Sequence, residues 1–122
     1  MKQRVLIADD EPNIVVSLEF LMQQSGYEIR TAANGDEALK AASECRPHLM
    51  LLDLMMPVRN GYEVCQAVRE NPGLKGMKIV MLTAKGRELE VAKGLAIGAD
   101  AYVTKPFATR ELLETVQRLL GP

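Results

Sequence analysis

Hydrophobic positions gather in five short runs, at residues 5–8, 27–32, 48–52, 79–82 and 101–103. The first, third and fourth are nearly unbroken, the pattern of central parallel strands covered on both faces. Between the runs the apolar spacing becomes helical. Ile14, Val15, Leu18, Leu21 and Met22 form one stripe, Gly61, Val64, Cys65 and Val68 a second, and Leu112, Leu113, Val116, Leu119 and Leu120 a third. Pro12 suits a first helical turn, where its missing N–H is no loss. Asn34 with Glu37 three residues on predicts an N-cap and its reciprocal partner. Gly26, Gly73 and Gly98 stand where helices are expected to stop, while Gly94 interrupts the fourth helical stretch.

Strict alternation of strand and helix predicts an α/β fold, a doubly wound parallel sheet with helices on both faces, formed by one domain over residues 1–122. In such sheets the working crevice lies beyond the carboxyl ends of the strands. The residues at those ends are Asp9, Asp10 and Glu11 after the first run and Asp53 after the third. Thr83 and Ala84 follow the fourth, and Thr104, Lys105, Pro106 and Phe107 the fifth.

Two carboxylates about 4 Å apart repel by roughly 4 kcal/mol at an effective dielectric of about 20. Three together drive one to protonate unless a cation intervenes. Mg2+ fits such a set best, because it takes one or two carboxylates and keeps waters that a phosphate displaces. Mn2+ is the alternative ion. Lys105 adds a second positive charge, and the following proline restricts its backbone and permits a cis peptide. Taken singly, each feature has a blander account. The acid pair can be a solvated helix start, Asp53 a turn cap, Thr83 a strand former and Lys-Pro a loop. Their convergence on one rim argues against that account.

Composition narrows the field. Of 122 residues 48% are hydrophobic and 25% charged, which sets disordered and fibrous classes aside. Lys plus Arg number 15 against 16 Asp plus Glu, so no basic surplus points to nucleic acid or an anionic membrane. Cys45 and Cys65 lack metal-ligand spacing and read as small buried hydrophobes of a reducing compartment. The first apolar run is too short for a signal core or a membrane span, and a cytoplasmic location is expected.

The blocks at residues 5–11, 51–57, 81–84 and 98–107 resemble the receiver domains of two-component response regulators, the CheY-like family. That resemblance implies a sheet of strand order 2-1-3-4-5 with five helices. It implies that Asp53 accepts a phosphoryl group from a sensor histidine kinase or phosphotransfer protein, in a signalling domain rather than a classical enzyme. Asp10, Asp53 and the Met55 carbonyl would bind Mg2+ directly, with Asp9 reaching it through water. Thr83, the Ala84 N–H and Lys105 would hold the phosphoryl oxygens. Thr83 and Tyr102 would be the switch pair, repacking the face made by the fourth helix, fifth strand and fifth helix; alternatively, Tyr102 is an amphipathic strand residue with its hydroxyl in water.

Met55 and Lys85 occupy the two positions that tune phosphoryl lifetime in the family, and neither can orient an attacking water as a carboxylate or amide would. Slow self-dephosphorylation is therefore expected. Asp100, Glu111 and Arg118 resemble parts of an ion-pair set through which some receivers dimerise, but Val91, Ala101 and Thr115 stand where charged partners belong. Val91 suggests either a more apolar contact surface or a lone exposed valine. Val16 and Phe20, off the core stripe of the first helix, and Pro106 are candidate contacts for the phosphodonor. An aspartate-nucleophile phosphatase needs a second Asp where Met55 stands, and a flavodoxin-like flavin carrier needs a phosphate-cradling first loop where 9–12 reads Asp-Asp-Glu-Pro. The downstream target or fused output domain is not legible in this sequence.

Overall fold

The computed structural model of the chain describes residues 2–84 and 88–121. Ten elements alternate: β1 (Arg4–Ala8), α1 (Pro12–Gln24), β2 (Glu28–Ala32), α2 (Gly35–Cys45), β3 (Leu49–Asp53), α3 (Gly61–Glu70), β4 (Lys78–Ala84), α4 (Glu88–Ile97), β5 (Ala101–Lys105) and α5 (Thr109–Leu120). The strands pair in parallel in the order β2-β1-β3-β4-β5, as the resemblance implied.

Side-chain alternation along the central strands builds two cores. Val5, Ile7, Leu49, Leu51, Val80 and Leu82 face α1 and α5 and meet Leu18, Met22, Leu112 and Val116. Leu6, Ala8, Met50, Leu52, Ile79 and Met81 face the other way, onto Ala38, Ala41 and Ala42 of α2 and Val64, Cys65 and Val68 of α3. A strand buried on both faces must be apolar at every position, which is why these three runs are nearly continuous. Truncating a fully buried residue such as Leu51 to alanine costs about 2–5 kcal/mol.

The boundaries differ from the sequence reading in an informative way. β3 extends to Asp53, β4 to Ala84 and β5 to Lys105, one or two residues past the apolar runs. Pairing continues through the polar residues, setting Asp53 opposite Leu82, Thr83 opposite Thr104 and Ala84 opposite Lys105. Backbone hydrogen bonding, unlike hydrophobicity, does not depend on the side chain. α3 stops at Glu70, before Gly73, because Asn71 precedes Pro72 and takes the extended conformation that a following proline imposes. Asn34 does cap α2 by accepting from the Glu37 N–H at 2.9 Å, but Glu37 reaches back to the Ala33 N–H instead of the Asn34 N–H. The complete reciprocal box belongs to α3, between Asn60 and Glu63, at 3.0 Å in both directions.

Arg69 ties three segments together at the far side of α3. Its guanidinium donates to the carbonyls of Gly98 at 2.8 Å, Lys75 at 2.9 Å and Met77 at 2.6 Å, and pairs with Asp100 at 2.8 Å. The same Asp100 oxygen accepts the Ile79 N–H at 2.7 Å. Nearby, the Tyr62 hydroxyl donates to the Glu90 carbonyl at 2.9 Å and its ring carries Lys93 Nζ 4.4 Å from the centroid, which fastens α4 to α3. Gly94 lets α4 settle there, since a Cβ would already touch Met81 at 3.3 Å.

Candidate functional site

The strand order reverses direction between β1 and β3, and the carboxyl ends of those two strands meet at the resulting crevice. β1 delivers Asp9 and Asp10. The Asp9 N–H donates to the Ala32 carbonyl at 3.0 Å, and Asp9 Oδ1 accepts the Glu11 N–H at 2.9 Å, so the turn into α1 is held from within. β3 delivers Asp53, whose Oδ1 accepts the Met55 N–H at 3.3 Å. The connection after it is pinned at both ends. Leu54 N–H continues the ladder to Leu82 O at 3.1 Å, and Gly61 N–H returns to Leu54 O at 2.9 Å.

β5 brings the charge that balances these acids. Lys105 Nζ lies 2.8 Å from Asp9 Oδ2, 3.0 Å from Glu11 Oε1 and 3.5 Å from Asp53 Oδ1. The Lys105–Pro106 peptide is cis. Asp9, Asp53 and Thr83 are the buried polar residues of the described chain, exposed by 1%, 5% and 3%. Burial raises the Asp53 carboxyl from 3.8 to about 6, and the negative charge of Asp9 pushes the same way. Lys105 and the Met55 N–H oppose the shift, whereas the Asp10 side chain adds to it. For Lys105 burial acts against the charged form, but Asp9, Glu11 and Asp53 outweigh it and hold the ammonium above its ordinary 10.5.

One carboxylate oxygen each from Asp9, Asp10 and Asp53 lies within 4.8 Å of the others. Asp9 Oδ2 is buried, with Lys105 Nζ 2.8 Å away and no aligned hydrogen-bond donor among the described residues. A convergent set of hard oxygen donors from three carboxylates suits a small divalent cation such as Mg2+. The residues present fit that ion.

A pocket of about 230 Å³ opens above these groups, lined by Asp10, Glu11, Asp53, Met55, Leu82, Thr83, Ala84, Glu90 and Lys105. The structure thus brings together Asp9, Asp10, Asp53, Met55, Thr83, Ala84 and Lys105, as their strand-end positions predict. The Thr83 hydroxyl donates to the Ala84 carbonyl across a long 3.4 Å. Tyr102 stands 47% exposed. Lys85 lies outside the described residues. Val16, Phe20 and Pro106 are exposed on the same rim of the molecule or the helix that leads from it.

Asp100 pairs with Arg69 and accepts the Ile79 N–H within the chain. Thr115 spends its hydroxyl on the Glu111 carbonyl at 2.8 Å, and Val91 is partly buried instead of fully exposed. Cys65 is buried, but Cys45, at the last turn of α2, is only partly so. Two pocket residues had no assigned role: Glu11, visible in the sequence as the third acid of its block, and Glu90, which carries no local signal.

A family model described as response regulator receiver domain matches residues 5–117. The alkaline phosphatase synthesis transcriptional regulatory protein PhoP of Bacillus subtilis (strain 168) is 42% identical over 120 residues, covering 98% of the chain and 49% of that protein. The chain therefore spans about half the length of this relative. A response regulator of Chloroflexus aurantiacus J-10-fl superposes with a TM-score of 0.95 at 36% identity over 98% of both chains. The chemotaxis response regulator CheY4 of Vibrio cholerae gives a TM-score of 0.92 at 38% identity, over 98% of this chain and 100% of that one.

Proposed function

Since the chain belongs to the response regulator receiver domain family, which serves phosphorelay signalling, we propose that it is a phosphoacceptor switch working through Asp53. The observation that carries this reading is the setting of Asp53. It is a nearly buried carboxylate at a strand end, between an acid pair and a lysine ammonium, at the floor of an open pocket.

The donor is a phosphohistidine on a sensor histidine kinase or phosphotransfer protein. An Asp53 carboxylate oxygen attacks phosphorus. The new P–O bond forms as the P–N bond breaks, and the imidazole nitrogen keeps the electron pair and takes a proton from water. Such transfers need in-line positioning and charge neutralisation more than covalent help. Asp10, Asp53 and the Met55 carbonyl would hold Mg2+, with Asp9 reaching it through water, and the bound ion would neutralise the oxygens of the transferring group. Lys105 supplies the second positive charge, and Thr83 with the Ala84 N–H supplies donors for the remaining oxygens.

The weak Thr83–Ala84 bond is readily exchanged for a stronger one to phosphoryl oxygen. Drawing Thr83 towards the acceptor would open room for Tyr102 to turn inward and repack the α4-β5-α5 face. Moving such an equilibrium from 1:99 to 99:1 takes roughly 5.5 kcal/mol. A few charge-assisted hydrogen bonds of about 1.5–3 kcal/mol each supply that.

The test is incubation with acetyl phosphate and Mg2+, followed by intact mass of the parent and of Asp53→Asn. A Mg2+-dependent adduct confined to the parent supports the reading. An unmodified parent, or an adduct that persists in the variant, overturns it.

A further inference from the structure

Resting on that reading of Asp53, we propose that Glu11 is a positioning residue that parks the Lys105 ammonium away from the acceptor, so that an arriving phosphoryl group competes for the lysine. Lys105 Nζ is closer to Glu11 Oε1, at 3.0 Å with a hydrogen bond, than to Asp53 Oδ1 at 3.5 Å. The lysine side chain is only 15% exposed, so it has few other partners to choose from.

The placement of Glu11 just ahead of α1 supports a role outside that helix. Glu11 is the N-cap of α1, yet its side chain makes no capping bond. Ser, Thr, Asp or Asn at this position would cap the helix by accepting one of its first N–H groups. The glutamate carboxylate instead reaches across 94 sequence positions to Lys105, from a backbone fixed by the bond between its N–H and Asp9 Oδ1.

The two acids that hold the lysine differ in how easily they let go. Asp9 has a fully buried side chain, whereas that of Glu11 is 59% exposed and returns to water when released. Glu11 is therefore the releasable half of the pair. A ligand that needs a state populated only in part binds with an apparent affinity reduced by that fraction. The parked lysine imposes such a reduction on any phosphoryl group or phosphoryl mimic at Asp53.

The full chain is compared with Glu11→Gln and with Glu11→Asp, which keeps the charge but withdraws the carboxylate by one carbon–carbon bond. Two quantities are read. One is the rate of reductive methylation of Lys105 in the unphosphorylated protein, by mass spectrometry. The other is the affinity for beryllofluoride in Mg2+. Both variants are expected to raise methylation and tighten beryllofluoride binding by about 2- to 5-fold, the range of a half-exposed ion pair. In a Lys105→Gln background the gain in beryllofluoride affinity should vanish, because the two residues act as one unit. Unchanged methylation, weaker beryllofluoride binding, a gain confined to Glu11→Gln, or a gain that survives without Lys105 each overturns the proposal. If the parent fails to bind beryllofluoride while methylation still rises in the variants, the phosphoacceptor reading falls and the parked lysine stands.

Discussion

Gly61 lies against the backbone of Asp53: a Cβ at residue 61 would sit 2.9 Å from the Asp53 carbonyl oxygen and 2.8 Å from Leu54 Cα. The first turn of α3 thus packs directly on the strand end that carries Asp53, the proposed acceptor, and backbone atoms cannot swing aside as a side chain would. Alanine gains roughly 1 kcal/mol over glycine in a helix by intrinsic propensity. Overpacking of this kind costs about 1–3 kcal/mol and should prevail. Gly61→Ala is therefore expected to lower the urea midpoint and to slow modification by acetyl phosphate. A variant as stable and as reactive as the parent would show that the contact is slack.

The Asp53 carboxyl predicts a pH dependence with a definite sign. Its folded value of about 6 exceeds the ordinary 3.8, so folding favours the protonated form. The resulting stabilisation is fully present below about pH 3.8 and is lost as pH rises through about 6. In metal-free buffer Asp53→Asn should then be more stable than the parent near neutral pH, by a margin that shrinks towards about pH 4. Added Mg2+ should raise the melting temperature of the parent at neutral pH much more than that of the variant. A stability gap independent of pH, or equal Mg2+ responses, would contradict the raised value.

How far the sequence carries depends on the kind of interaction. Strands and candidate site residues were legible together, because Asp9, Asp53, Thr83 and Lys105 sit within two residues of the ends of apolar runs whose periodicity is plain. The crevice needed only the rule for parallel sheets to assemble it. The Arg69 clamp was not legible, since its partners are backbone carbonyls at Lys75, Met77 and Gly98, which carry no residue-type signal. That clamp also pairs Asp100 within the chain, which its position beside Gly98 and Ala99 does not signal. The Asn60–Glu63 box had the same spacing as Asn34–Glu37 and could have been found. Glu11 was visible as a charge but not as a partner, for nothing local links positions 11 and 105.

Val58 holds strain that a substitution should release. Its φ is 70°, and the Arg59 N–H bonds back to the Pro57 carbonyl at 2.8 Å, the pattern of a tight three-residue turn. A β-branched residue at positive φ is disfavoured by about 1–2 kcal/mol, whereas asparagine tolerates the conformation. The side chain is 69% exposed, so little packing is at stake. Val58→Asn should stabilise by about 1 kcal/mol, measured as a rise in the urea midpoint at unchanged slope. A fall in the midpoint would mean that the valine makes contacts worth more than its strain.

On the proposed reading, Met55 and Lys85 govern the phosphoryl lifetime. Neither offers a carboxylate or amide to orient a water for attack on an acyl phosphate. Met55→Asn combined with Lys85→Glu should accelerate phosphate release by about 10-fold or more, within the range of general acid–base assistance. Release followed after removal of the donor measures it, and no acceleration over the parent counts against the assignment.

Phe20 is 59% exposed and Val16, one turn earlier on α1, is 65% exposed, so the two form an apolar pair on a helix that begins beside the acid cluster. On the proposed reading, a phosphohistidine reaches Asp53 only if its carrier settles on this rim, and a protruding aromatic is the kind of residue that anchors such contacts. A small phosphodonor needs no such surface. Phe20→Glu should therefore slow transfer from the cognate kinase or phosphotransfer protein by about 10-fold or more, the scale of a lost anchor, while modification by acetyl phosphate stays within about 2-fold. The comparison of the two donors on one protein preparation separates docking from folding. Equal losses with both would assign Phe20 to packing, and equal rates with both would remove it from the interface.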